Sequence, residues 1–400
     1  MPNRSYDFII IGAGIVGLTV AHELKQRMPL AQIAILDKEG TVGVHASGRN
    51  SGVLHSGIYY GCDSMKAQVC ARGAARLMAF AAEHDIAYLK SGKVILATSE
   101  SQLETVERLM QNAKANGINA QRINQQELHE LEPAAAPSLA AIYCPDTAVI
   151  DSLAVLKQLR LLLEQQGVVF YFGCQVQGLK ASAQLKTTQG HFSFGFLFNC
   201  AGAYADIVAR YFGLAQEYAL LPFKGIYWKL SPQANHLIRA NIYPVPDVSL
   251  PFLGVHLTRG IHGDVYVGPT AIPVLGRENY RRLQGTRFKE TLDMVYRLSA
   301  MYLSNQTNFR LLAKTEMAKY KKRAFLKAVR QLVPQLQLCD LVPTAKAGIR
   351  PQLIHTKTKQ LEMDYIVERT ENSLHVLNAI SPAFTSSFAL AQKMVEPILR

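Results

Sequence analysis

The residues of this chain whose types and spacing announce chemistry come first, where Phe8 to Ile11 runs into Gly12-Ala13-Gly14-Ile15-Val16-Gly17. Gly12 permits a tight turn out of a strand, Gly14 lets a pyrophosphate approach the backbone, and Gly17 lets a helix lie close on a sheet. The N-terminus of that helix offers free N–H groups and a partial positive charge to phosphates. A second apolar run, Gln32 to Leu36, ends at Asp37, 20 residues beyond Gly17. That is the separation of a carboxylate that accepts hydrogen bonds from an adenosine ribose, and it would repel a 2′-phosphate, which disfavours NADP. The order of parts predicts a dinucleotide-binding βαβ unit, and on these residues alone NAD and FAD both fit.

The segment Ala46 to Tyr60, with Ser47, Asn50, Ser51, Gly52, His55 and Gly57, is dense in glycine and small polar residues. It is too polar for a core and too short of charge for an ordinary solvated loop. The plain reading is a surface loop rich in turn residues. The reading favoured here is a chain that lies flat against a large planar ligand, which points to a flavin.

With these residues in view, the chain resembles FAD-dependent oxidoreductases of the D-amino-acid oxidase superfamily, and more narrowly the L-2-hydroxyglutarate dehydrogenase/oxidase family. The resemblance continues through Phe198 to Asp206, Ile242 to Pro246, Pro251 to Arg259, Val267 to Thr270, Ala347 to Arg350 and Ser381 to Ser387. The string Pro251-Phe252-Leu253-Gly254-Val255-His256-Leu257-Thr258-Arg259 is its most specific part. Arg49 stands where the family's hydroxyglutarate enzymes usually carry His, Pro351 follows Arg350 where they usually carry a small residue, and Phe384 brings an aromatic toward the expected flavin edge. The resemblance implies FAD as cofactor, with contacts at Gly12, Gly14, Gly17, Asp37, Lys38, Ser47, Asn50, Ser51, Gly52, Gly202, Gly348, Ser381 and Thr385. It implies no metal.

Oxidising a 2-hydroxy acid requires a cation for the carboxylate and a base for the hydroxyl proton. Arg350, which the resemblance places near the flavin, is the first candidate cation, since a guanidinium fork matches a carboxylate bidentately. Arg259 is the candidate for a second carboxylate. His55, in the flavin-side loop, and His256, on a strand-like run, compete as base, because an imidazole suits proton transfer near neutrality. Tyr59, Tyr60 and Tyr266 are weaker candidates for orienting substrate, and His45, His84 and His236 lack comparable context. The implied reaction is oxidation of a small L-2-hydroxy acid, foremost L-2-hydroxyglutarate to 2-oxoglutarate, with a quinone or oxygen as electron acceptor. The alternatives are an amino-acid or N-methyl amino-acid oxidase of the same superfamily, a flavoprotein acting on RNA, or a membrane-docked module with a structural flavin.

These parts need a scaffold, and the chain is long and apolar enough, at 400 residues and 49% hydrophobic, to build a large core. The alternation of elements predicts an α/β fold, a Rossmann-like FAD-binding domain interleaved with a mixed or antiparallel-sheet substrate domain. The first is expected from 1–90, 145–220 and 340–400, and the second from 91–144 and 221–339. Helices are predicted over Lys66 to His84, Leu103 to Asn116 and Asp151 to Gln166, with Gln125 to Leu131 an acidic-apolar stretch, and antiparallel strands between Lys224 and Val267. No apolar run approaches the ~18 residues of a membrane span, and no cationic, apolar and small-residue leader pattern precedes the first strand, so a cytoplasmic protein is expected. The six cysteines form no C-x-x-C pair, which argues against a zinc site or a disulfide scaffold. The net charge of +13 is concentrated in residues 281–330, where thirteen Lys and Arg face three acids. With Leu292, Val295, Tyr296 and Leu298, then Phe325, Ala328 and Val329, in helical rhythm, that segment reads as amphipathic helices with a basic outer face. The face is either simply solvated or drawn to anionic lipid on the cytoplasmic side of the inner membrane. Nucleic acid is not expected as a partner, because interleaved exposed aromatics and groove-reading motifs are missing.

Overall fold

The strand Ser5–Ile11 is the axis of the first sheet in this computed structural model, which describes residues 4–247, 252–281, 284–305 and 308–399. Pro251, named above, and Arg282, one of the cations of the basic segment, lie outside the described residues. Phe8 to Ile11 are all buried, as a parallel strand covered on both faces must be. Ser5–Ile11 pairs in parallel with Ile33–Leu36 and Gly190–Asn199, so that Ile11 lies opposite both Leu36 and Asn199. Val169–Tyr171 extends the sheet on one side and Ser373–Val376 on the other, again in parallel. The sheet is thus closed by chain from near the start, the middle and the end of the sequence.

The helices Ile15–Arg27, Met65–Glu83 and Ala383–Val395 pack against one another beside it. Ile15–Arg27 is buried over nearly its whole first half rather than on one stripe, because the sheet covers one side and Ala383–Val395 the other. The acidic-apolar stretch folds as the helix Gln125–Leu131, and the predicted helices appear as Met65–Glu83, Leu103–Ala115 and Ser152–Gln165. Asp151 starts the last of these as its N-cap, its carboxylate accepting from the N–H groups of Leu153 and Ala154 at 3.0 Å.

Among the described residues the second sheet has nine strands, and it is built around a long antiparallel ladder between Tyr218–Leu230 and Leu341–His355. Phe223 faces Arg350 and Gly225 faces Gly348 across this ladder. Val265–Gly268, His256–Arg259, Asn241–Pro244, Lys93–Ala97 and Ala140–Cys144 follow in order, antiparallel except where Asn241–Pro244 meets Lys93–Ala97 in parallel. The sheet is therefore mixed. The boundary expected at 340 falls just before Leu341–His355, which belongs to the second sheet; the chain rejoins the first only at Val367–Arg369 and Ser373–Val376.

The basic segment folds as Phe288–Ser304, Phe309–Ala318 and Lys322–Val329. In the last helix the rhythm does face the core, with Phe325 and Val329 fully buried. In Phe288–Ser304 it does not. Leu292, Val295 and Tyr296, expected to face inward, are exposed, while Met294 and Met301 are buried and Leu298 packs partly against the strand residues Ala219, Leu221 and Phe223. The helix lies at the rim of the sheet, where there is too little neighbouring surface to cover its broader apolar face. Periodicity detects such a face but not whether anything stands opposite it.

One buried ion pair joins the two sheets' connections. Arg277 clasps Asp206 bidentately at 2.6 and 2.9 Å, and both side chains are almost wholly out of solvent. A buried pair of this kind is costly to break on one side only, because the partner is left as an uncompensated charge. Replacement of Arg277 by Met is expected to destabilise the protein by about 3–5 kcal/mol, read from the urea midpoint, and Asp206→Asn in the same chain to recover part of that loss.

Candidate active site

A cavity of about 930 Å³ opens between the two sheets, within the size range of cofactor pockets. At one end stands the glycine turn. Gly12 has φ +106°, and a Cβ there would lie 2.4 Å from the Cys200 carbonyl oxygen. Gly14 caps the helix Ile15–Arg27 with no side-chain hydrogen bond of its own, and the Ser47 hydroxyl, 3.0 Å from where its Cβ would be, accepts from the Ile15 N–H. Gly17 does not line the cavity; a Cβ there would sit 2.0 Å from the Gly12 oxygen, so its bareness lets the helix close on the turn. This cradle, open backbone around a glycine turn beside a helix start whose N-cap is a glycine, has room for the pyrophosphate of FAD.

Asp37 faces the cavity, but both its oxygens already accept from backbone, Oδ2 from Ala13 at 2.7 Å and Oδ1 from Glu39 at 2.8 Å. Burial pushes its carboxyl up in pKa while those two bonds pull it back. Asp37 thus braces the glycine turn as well as walling the ribose end. Lys38 pairs with Glu278 at 2.6 Å and with Glu39, and His45 joins the same cluster through Glu39 at 2.8 Å and the Tyr280 hydroxyl at 3.0 Å. Lys38, Glu39, His45 and Tyr280 line the cavity too, although nothing in the sequence around His45 marks it. Glu39, His45 and Glu278 come together as metal ligands would, but the Lys38 ammonium already bridges the two carboxylates.

The loop from 46 to 57 is held in shape by its own polar side chains. Asn50 donates to the Ser47 carbonyl and accepts from the Gly52 N–H and the Ser152 hydroxyl, and the Ser51 hydroxyl accepts weakly from the Val53 N–H. Gly52, with φ +80°, does not line the cavity and packs 2.8 Å from the Ile150 oxygen as judged from an added Cβ. Thr385 fastens this loop to the C-terminal helix, donating to the Val53 carbonyl and accepting from the His55 N–H. Ser47, Asn50, Ser51, Gly202, Gly348, Ser381 and Thr385 all border the cavity, as do Arg49, Pro351 and Phe384. Gly348 has a further duty: a Cβ on it would lie 2.6 Å from the Arg49 oxygen, so its absence lets the long strand touch the loop.

His55, His256 and Arg350 meet at the other end. His256 donates from Nδ1 to the Gly254 carbonyl at 2.9 Å in the tautomer that leaves Nε2 as an acceptor, and its ring stacks on Tyr243 at 3.9 Å. The His55 ring nitrogens have no protein partner among the described residues. Burial, with Lys93 and the other histidine adding to it, brings His55 down to about 3. Burial also brings His256 down to about 3, against the Gly254 bond and with Arg350 and Lys93 pressing the same way. Both imidazoles are therefore held neutral. Arg350 spends one N–H on the Thr270 carbonyl at 2.9 Å, with its guanidinium 5.5 Å from the Phe252 ring; the face it exposes looks into the cavity rather than to bulk water.

Arg259 is not brought to this site. Its guanidinium donates to the Ile238 carbonyl at 2.9 Å and it does not border the cavity, because it stands at the far end of the strand His256–Arg259. Tyr59 and Tyr60 line the cavity and Tyr266 does not. Two lysines escaped the sequence reading: Lys66, on the cavity wall with its ammonium over the Tyr60 and Tyr365 rings, and Lys93, fully buried behind Tyr59. For Lys93 a signal existed, a single cation heading the apolar run Val94-Ile95-Leu96-Ala97.

Comparison with known proteins agrees with this geometry. Residues 7–396 match the family described as FAD dependent oxidoreductase. The L-2-hydroxyglutarate dehydrogenase of Escherichia coli (strain UMN026) is 35% identical over 98% of this chain and 93% of its own length. The mitochondrial L-2-hydroxyglutarate dehydrogenase of Homo sapiens is 32% identical over 98% of this chain and 89% of its own. In fold, the chain is similar to FAD-bound L-alpha-glycerophosphate oxidase from Mycoplasma pneumoniae, with a TM-score of 0.78 and 22% identity over 99% of this chain and 95% of that one. L-proline dehydrogenase from P. horikoshii superposes with a TM-score of 0.74 at 16% identity, covering 100% and 94% of the two chains. A cradle shaped for FAD, two neutral imidazoles facing a buried guanidinium, and relatives of one name along nearly the whole length converge: this chain belongs to the L-2-hydroxyglutarate dehydrogenase family of FAD-dependent oxidoreductases.

Proposed function

We propose that this protein oxidises L-2-hydroxyglutarate to 2-oxoglutarate. The observation that carries the reading is the meeting of Arg350 with His55 and His256 at the end of the dinucleotide cavity. Bound FAD supplies the two-electron acceptor for the C2 hydrogen. The chain's own residues do the rest. Arg350, with one N–H engaged by Thr270, turns the remainder of its fork toward the C1 carboxylate and fixes the C2 hydrogen's direction. The hydroxyl proton passes to His55 or to Nε2 of His256, each uncharged and within the same wall. The Tyr59, Tyr227 and Phe252 walls keep water from the reacting carbon.

The exposed apolar face of the rim helices belongs to the same reading. Phe288 is 80%, Tyr296 72% and Leu303 74% exposed, beside Lys289, Arg310 and Lys314. No helix among the described residues is long and apolar enough to cross a membrane. Apolar side chains ringed by cations suit the surface of an anionic bilayer, and a quinone dissolved there is the acceptor that such docking serves.

Without oxygen, L-2-hydroxyglutarate should bleach the flavin band while the D-enantiomer and amino acids leave it; bleaching by an amino acid alone would move the protein to amine oxidation. Arg350→Ala is expected to raise KM by about 100-fold or more with FAD still bound. Replacing whichever histidine is the base should lower kcat by roughly 10²–10⁴-fold, and replacing the other should act mainly on KM. Because burial holds both imidazoles well below the ordinary histidine range, kcat/KM should show no acid limb between pH 8 and 6; a limb there that vanishes in His55→Gln or His256→Gln would refute the neutral pair. Vesicles containing phosphatidylglycerol, but not pure phosphatidylcholine, should carry the protein in flotation, and Phe288→Glu with Tyr296→Glu should abolish it.

A further inference from the structure

Lys93 opens the strand Lys93–Ala97 in the second sheet and has no exposed surface. Its ammonium lies 4.6 Å from the centroid of the Tyr59 ring and 5.5 Å from that of Tyr243, and it makes no hydrogen bond. The two rings are the back of the active-site wall, since Tyr59 borders the cavity and Tyr243 stacks on His256. The Tyr59 hydroxyl and the Ser56 hydroxyl on the same loop are also buried without partners. No carboxylate pairs with Lys93 among the described residues; burial pulls its ammonium down in pKa, and the neighbouring thiols of Cys144 and Cys70 only oppose this weakly, since burial pushes the Cys70 thiol itself up to about 12.

A fully buried amine with neither a hydrogen bond nor a counter-charge is costly to keep, which marks it as a group whose partner arrives from elsewhere. Arg350 answers one carboxylate, and Arg259, which faces away, cannot answer a second. His256 lies within electrostatic reach of both Arg350 and Lys93, so the two cations bracket the reacting end of the cavity. Resting on the reading above, we propose that Lys93 is a positioning residue that selects dicarboxylates, its charge acting through the Tyr59 wall on the substrate's second carboxylate. A monocarboxylic 2-hydroxy acid would meet Arg350 and leave Lys93 unanswered.

The holoenzyme can be titrated anaerobically with two unreactive probes, glutarate and butyrate, following the perturbation of the flavin spectrum. The wild type should bind glutarate more tightly. Lys93→Met is expected to weaken glutarate by roughly 30-fold or more while butyrate stays within about two-fold, and Lys93→Arg to restore most of the preference. The same split should appear in KM for L-2-hydroxyglutarate against L-2-hydroxybutyrate, with kcat little changed, which a merely structural lysine would not produce. Lys93→Gln gives the same comparison should the methionine variant not fold. An unchanged glutarate-to-butyrate ratio in the neutral variants overturns the proposal while leaving the hydroxyglutarate reading standing. A wild type that binds both probes equally overturns the diacid reading itself and this inference with it.

Discussion

Everything at the site depends on how closely two backbones pass. The long strand that carries Arg350 crosses the loop that leads to His55 at Gly348, where a single methyl group would collide with the Arg49 oxygen at 2.6 Å. That contact is the hinge between two sheets with separate cores: the first sheet's helices share one apolar cluster and the second sheet's strands and the Lys322–Val329 helix share another. Packing alone would hold each sheet together. It would not hold a guanidinium of one at a fixed reach from an imidazole of the other. The backbone-to-backbone approach does so, and the Thr385 hydroxyl, bonded to both Val53 and His55, secures the loop from its opposite side.

The electrostatics of the cavity follow from the same enclosure. Removing the histidines from water suppresses their charge, while an arginine keeps its own even when desolvated, because its proton is held far too tightly to lose. The result is a site with fixed positive charge and uncharged proton acceptors, which is complementary to an anion that must lose a proton. At the nucleotide end the arrangement is different: Asp37 is tied by two backbone N–H groups, and Lys38 bridges Glu39 and Glu278. One cavity thus has an end whose charged groups are tied to protein partners, suited to a permanently bound group, and an end with a guanidinium that no carboxylate answers among the described residues, suited to a ligand that comes and goes.

The parts of this plan that could be read from the sequence are those set by local chemistry. The glycine turn, the loop rich in small polar residues and the capped helices depend on residues near one another in the chain, so their types are sufficient. Resemblance brought in His55, His256 and Arg350, which no periodicity could bring together across almost three hundred residues. What could not be read was direction. Arg259 shares a strand with His256 yet projects elsewhere, since four residues of strand traverse some 10–13 Å. Leu292, Val295 and Tyr296 have helical spacing yet face outward, since an apolar stripe does not reveal what stands opposite. His45, between Val44 and Ala46, and Lys66, between Met65 and Ala67, belong to no pattern at all, and only the fold gives them company.

The first sheet takes its strands from both extremes of the chain, and the helix Ile15–Arg27 lies between that sheet and Ala383–Val395. A growing polypeptide therefore displays the glycine turn early but has no enclosed place for a flavin. Until Ala383–Val395 is in place, the side of Ile15–Arg27 turned away from the sheet stays uncovered, and Val53 and His55 have no threonine to fasten them. An enclosed flavin site therefore needs Ala383–Val395 as well as the glycine turn, and removal of that helix would reach the nucleotide end through Ile15–Arg27 and through the Thr385 bonds to the loop.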